Sequence, residues 1–127
     1  MKQNMVGWFE IPVTDMDRAK KFYETVFKLK ISIHDMGGLV MGWFPNAEDT
    51  NSPGAPGSLV MHKDFYKPSK EGILIYFSSE DVNNELSRIE KSGGTILHQK
   101  TLISEDIGYM AVFIDSEGNR IALHSKL

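Results

Sequence analysis

The feature that most limits what this chain can fold into is that its two halves follow one plan. Val6, Phe9, Ile11 and Val13 are apolar and largely β-forming, so residues 6–13 read as a strand. Thr14 and Asp15 are good helix N-caps. Over residues 16–28, Met16, Ala19, Phe22, Tyr23, Val26 and Phe27 recur at helical steps, with Lys20, Lys21 and Glu24 on the wet side. Short strands are expected at 30–35, 39–44 and 58–62, with a hairpin turn at Gly37-Gly38 and a loop from Pro45 to Gly57.

The second half repeats this order. Residues 72–78 form a strand whose Ile73-Leu74-Ile75-Tyr76-Phe77 run is too hydrophobic for a surface. Ser79, Glu80 and Asp81 offer caps, and Val82, Leu86 and Ile89 space a helix that stops at Gly93-Gly94. Strands follow at 95–98, 108–114 and 120–124, the last two joined by Asp115-Ser116-Glu117-Gly118-Asn119. Asp15 answers Glu80 and Ile31 answers Ile96 at an offset of 65, while Met41 and Phe44 answer Met110 and Phe113 at 69. Two copies at so long a period make a duplicated β-α-β-β-β module rather than a solenoid. The expected architecture is therefore α+β in one domain over residues 1–127, with module one at about 5–66 and module two at about 70–127.

Composition narrows the function classes. With 127 residues, 41% hydrophobic and 24% charged, the chain suits one soluble domain. A net charge of -3 and no basic stripe argue against nucleic acid or an anionic membrane as partner. There is no cysteine, which removes disulfides, thiolate nucleophiles and cysteine-based metal sites. No apolar run is long enough for a signal peptide or a membrane span, so a cytoplasmic protein is expected. No G-x-G-x-x-G or P-loop pattern occurs either.

The ends carry the most specific wording. The segment Trp8-Phe9-Glu10-Ile11-Pro12-Val13-Thr14-Asp15, followed by Ala19-Lys20-Lys21-Phe22-Tyr23, resembles the opening signature of vicinal-oxygen-chelate proteins. Phe113-Ile114-Asp115-Ser116-Glu117-Gly118-Asn119-Arg120-Ile121-Ala122-Leu123 is similar to their closing hairpin. That resemblance, to the glyoxalase, bleomycin-resistance and dioxygenase superfamily, covers essentially the whole chain. It implies two modules curled into an open, cup-shaped half-barrel with helices outside, a small-molecule ligand, and frequent homodimers. It also implies a divalent metal in the cup.

The metal positions do not carry donors. By that resemblance the ligand positions fall at Trp8, at or beside Leu74, and at Ala122 in place of a glutamate, with the fourth near His62. Trp, Leu and Ala cannot bind a hard or borderline cation. The expectation is a protein without the family metal and without another cofactor.

Strand alternation then selects what the cup would use instead. Trp8 and Glu10 share one face, with Phe9, Ile11 and Val13 on the other. By the same parity Leu74, Tyr76, Ala122 and His124 point inward, with Met41 or Trp43 and Met110 or Val112 on the walls. Glu10 and His124 form a candidate proton-transfer pair for a metal-independent lyase or isomerase. Equally, they could serve only to stabilise the pocket. The alternative function is a non-catalytic binding protein for an aromatic small molecule, using Trp8, Tyr76, Phe113, His62, Leu74 and Ala122. His34 and His98 read as surface histidines.

Overall fold

The computed structural model describes residues 3–49 and 51–127. The elements run β1 (Phe9–Pro12), α1 (Met16–Phe27), β2 (Ser32–Asp35), β3 (Val40–Trp43) and β4 (Gly57–Met61). Then follow β5 (Tyr76–Ser78), α2 (Val82–Ile89), a 3-10 turn (Glu90–Ser92), β6 (Thr95–Ser104), β7 (Gly108–Ile114) and β8 (Arg120–Ser125). Each module forms a four-stranded sheet, in the orders β1-β4-β3-β2 and β5-β8-β7-β6. The first and last strands of each module pair in parallel, and the other neighbours are antiparallel. The sheets do not close into a barrel.

Local chemistry sets the helix boundaries. Asp15 caps α1, its carboxylate accepting from the Arg18 amide at 3.0 Å. The helix ends where Lys28 turns left-handed at φ 53°, and the Glu24 carboxylate then accepts from the Ile31 amide at 2.9 Å. Asp81 caps α2 by accepting from the Asn83 amide. The structural counterpart of Asp15 is therefore Asp81, one residue beyond the expected Glu80, because the capping carboxylate accepts from an amide two or three residues further on.

The helices share one core. Met16, Ala19, Phe22, Tyr23 and Val26 of α1 are buried together with Val82, Leu86 and Ile89 of α2. Against them stand Ile11 and Leu59 from the first sheet, and Ala111, Phe113, Ile121 and Leu123 from the second. Burying each large apolar side chain contributes about 1.5–3 kcal/mol. Phe9 of β1 and Phe77 of β5 meet edge-to-face at 5.8 Å, joining the two modules. Met41, Val60, Val112 and Ala122 are also buried but lie outside this cluster, on the opposite sheet faces. Each sheet thus has a helix-covered face and an open face.

Two expectations change. The apolar run before β5 is not interior: Ile73 is 92% exposed and Tyr76 50% exposed. Regular pairing begins only at Tyr76, so Ile75 and Phe77 pack inward while Ile73 and Tyr76 face out. Strand β6 continues to Ser104, well past His98. It is an edge strand with three register irregularities, and its polar Gln99-Lys100-Thr101 stretch lacks the apolar–polar alternation that announces a strand.

Candidate functional site

The modules are clasped by the closing hairpin. Asp115 is 3% exposed and accepts from the Tyr23 hydroxyl at 2.7 Å, the Glu117 amide at 2.8 Å and the Asn119 amide at 2.9 Å. Burial raises its pKa above the ordinary aspartate range, and the Tyr23 hydroxyl, buried beside it, is raised well above its own. Asn119 bridges outward, donating to the Pro12 carbonyl at 2.7 Å and accepting from the Ser69 amide at 3.0 Å.

Glu117 reaches the start of α1. One oxygen accepts from the Thr14 and Asp15 amides, each at 2.9 Å, and the other from Arg18 Nε at 2.7 Å. Its charge sits at the positive end of the helix dipole. These donors overcome the burial that would otherwise raise its pKa and hold it down at about 2. The D-S-E-G-N wording is therefore structural: it ties the second module to the first.

Strand register relates the two modules position by position. Glu10 pairs with Ser58, and Tyr76 pairs with Ala122, so β1–β4 and β5–β8 are equivalent pairs. The module-one counterpart of Ala122 is thus Ser58. His62, near which the resemblance placed the fourth position, lies beyond the end of β4, whereas Ser58 lies within it. Ser58 is fully buried and its hydroxyl donates to the Leu59 carbonyl at 2.6 Å. Trp8, Ser58, Leu74 and Ala122 do not fit a divalent cation. Among the described residues no group of three His, Asp or Glu side chains is placed to hold one.

The open face of the first sheet is aromatic. The rings of Trp8 and Trp43 meet at 6.3 Å and 85°, and His34 stacks on Trp43 at 3.8 Å. His34 is therefore half-buried against an aromatic rather than free at the surface. Glu10 lies among them, accepting from Trp8 Nε1 at 3.3 Å and from the Tyr66 hydroxyl at 2.7 Å. The carboxylate raises the Tyr66 pKa. Trp43 Nε1 is buried without a hydrogen-bond partner.

The other candidates are spread out. His124 shares the open face of the second sheet with Tyr76 and Ala122, and its Nε2 donates to the Ile107 carbonyl at 2.6 Å. No hydrogen bond or ion pair joins it to Glu10 among the described residues. Phe113 faces the helices, fully buried against Phe22 at 6.1 Å, and does not share a face with Ala122. Leu74 is half-buried ahead of β5. His98 is exposed on β6. His62 borders a cleft of about 490 Å³ with Met61, Lys63, Tyr66 and Lys67. Tyr66 and the His34–Trp43 stack were not foreseen. Tyr66 sits in an aperiodic loop, and the pairing of His34 with Met41, next to Trp43, requires the hairpin register. The aromatic pair Phe65-Tyr66 straight after a strand was the one available signal.

Two parallel-edged β-α-β-β-β units around a shared helical core define the class of paired-module proteins. Residues 6–41, spanning β1, α1 and β2, match the family model described as bleomycin resistance protein-like N-terminal. A glyoxylase-like domain-containing protein from Didymella fabae is 28% identical over 120 residues, covering 93% of this chain and 91% of that one. A glyoxalase I variant from Zea mays superposes with a TM-score of 0.73 at 20% identity over 94% of this chain, which spans 46% of that longer protein. TnmS3, an antibiotic binding protein from Streptomyces sp. CB03234, superposes at 0.68 and 21% identity over 98% of both chains. By fold, and by the sequence of its opening segment, the chain is similar to glyoxalase-like, bleomycin-resistance-like and dioxygenase-like proteins.

Proposed function

We propose that this protein binds a small aromatic or amphipathic molecule on the open face of its first sheet, without metal chemistry. The observation that carries this reading is the array of Trp8, Trp43, His34 and Tyr66 around Glu10. Such an array offers broad stacking area and one fixed polar group, the usual composition of a small-molecule site. Trp8 and Trp43 are the two tryptophans of the chain, so intrinsic fluorescence reports on this face directly. Titration with a panel of aromatic compounds should change the emission saturably, and Trp8→Ala should weaken binding about tenfold. Saturable binding that Trp8→Ala leaves unaltered would place the site elsewhere.

A second reading is proton transfer in lyase or isomerase chemistry, with Glu10 as base and His124 as its partner. Its support is that Glu10 is half-buried with a proton donor, Tyr66, in contact. Turnover of a bound compound that is lost in both Glu10→Gln and His124→Ala would favour it over simple binding.

We also propose that two copies pair. Edge strand β6 exposes Leu97, Leu102 and Ile103, and the following turn exposes Ile107, a surface that a second chain would cover. Sedimentation should give a dimer that Leu102→Lys or Ile103→Lys dissociates.

A further inference from the structure

Four glutamates are part-buried in this structure: Glu10, Glu24, Glu85 and Glu117. Three have a cation in reach, as Lys20 meets Glu24 at 3.1 Å, Arg88 meets Glu85 at 3.7 Å and Arg18 meets Glu117 at 2.7 Å. The half-buried Asp81 likewise meets Lys100 at 3.0 Å. Asp115 has no cation, but it is enclosed by backbone, tyrosine and asparagine donors. Among the described residues, Glu10 alone is part-buried, without a cation and at an accessible face. Lys63 and Lys67 line the neighbouring cleft that Tyr66 also borders, and neither forms an ion pair with Glu10.

What surrounds Glu10 is selective for positive charge. Each carboxylate oxygen accepts one hydrogen bond from an aromatic side chain, Oε2 from Trp8 and Oε1 from Tyr66. A carboxylate has about four acceptor sites, so roughly half remain for a ligand. Trp8 is 43% exposed, and the electron-rich faces of tryptophan and tyrosine attract cations. Partial burial of an unpaired carboxylate is unfavourable until an opposite charge arrives. An anion would meet repulsion here, and a neutral group would leave the carboxylate unpaired.

We infer that the ligand of this face carries a protonated amine or guanidinium on an apolar or aromatic body, and that Glu10 receives the charged nitrogen while Trp8 and Tyr66 flank it. The inference rests on the small-molecule reading above and names the ligand class.

The test uses phenethylammonium and its neutral counterpart 2-phenylethanol, followed by tryptophan fluorescence and calorimetry. Phenethylammonium should bind about tenfold more tightly, a difference that strengthened hydrogen bonding and cation–π contact can supply. Glu10→Gln should abolish that preference by weakening phenethylammonium about tenfold more than 2-phenylethanol. Tyr66→Phe, which keeps the carboxylate, should retain it, and circular dichroism checks that each variant is folded. Equal binding of the two probes to the wild type, or a preference that survives in Glu10→Gln, overturns the cation inference and leaves the aromatic-binding reading intact. If neither probe binds at millimolar concentration, both fall together.

Discussion

The Tyr23 hydroxyl donates to the Asp115 carboxylate across 2.7 Å, joining groups 92 positions apart in the chain. Tyr23 lies on α1 and Asp115 in the turn just after β7, so the bond spans the two modules. Tyr23→Phe removes the donor and leaves a buried carboxylate oxygen short of one bond, which costs about 1–3 kcal/mol. Urea unfolding should show that loss as a lower midpoint. In a double-mutant cycle with Asp115→Asn, the two changes should be non-additive.

Glu117 predicts an acid response. Its folded pKa of about 2 lies below the ordinary glutamate value of 4.5, so its contribution is full above pH 4.5 and is lost as pH falls toward 2. Asp115 has the opposite sign: its raised pKa favours the protonated native state as pH falls. Glu117→Gln should therefore flatten the fall in unfolding midpoint between pH 4.5 and 2. At neutral pH, Glu117→Ala should cost about 2–3 kcal/mol, because the Thr14 and Asp15 amides and Arg18 lose a charged acceptor.

Gly94 ends the second helical segment in a place without room. A Cβ there would stand 2.7 Å from the Ile114 carbonyl and 2.8 Å from Ile89 and Phe22. The backbone oxygen cannot swing aside as a side chain would. Gly94→Ala should lower stability by about 1–3 kcal/mol, whereas Gly7→Ala, with nothing within 4 Å, should be neutral within about 0.5 kcal/mol. Thermal melts of the two variants side by side check this.

The residues that the resemblance places at metal-ligand positions predict indifference to chelation. Treatment with EDTA or dipicolinate should shift neither the thermal midpoint nor the affinity for any ligand found by fluorescence. Stoichiometric zinc, nickel, iron or manganese by elemental analysis would contradict the assignment of Trp8, Ser58, Leu74 and Ala122.

The fold was largely legible because its signals are local. The helical spacing of Met16, Ala19, Phe22 and Val26, the caps Asp15 and Asp81, and the glycine-marked hairpins each act within a few residues. The matched positions Met41 and Met110 fall on open faces, and Phe44 and Phe113 fall in the core, as the duplication requires. Parity also placed Trp8 with Glu10, and Ala122 with His124. Parity fixes which face a residue uses but not what it meets there. The Tyr66 contact with Glu10 depends on how a loop folds back, and the clasp by Glu117 depends on how the modules dock. Ile73 was misread because hydrophobicity was taken for burial, although the strand's pairing begins only three residues later, at Tyr76.

The two modules are not clasped alike. The turn from Asp115 to Asn119 grips the start of α1, whereas the described residues between 45 and 55 of the corresponding connection make their hydrogen bonds locally, as in Ser52 to Asp49. Duplication thus left one connection under structural constraint and released the other. Insertions, deletions and sequence drift between Phe44 and Pro56, which are themselves held by the core and by β1, can accumulate with little penalty, beside a sheet whose open face carries Trp8, Glu10 and Trp43. A lineage could refit that face to a new ligand while the other module keeps the scaffold in register.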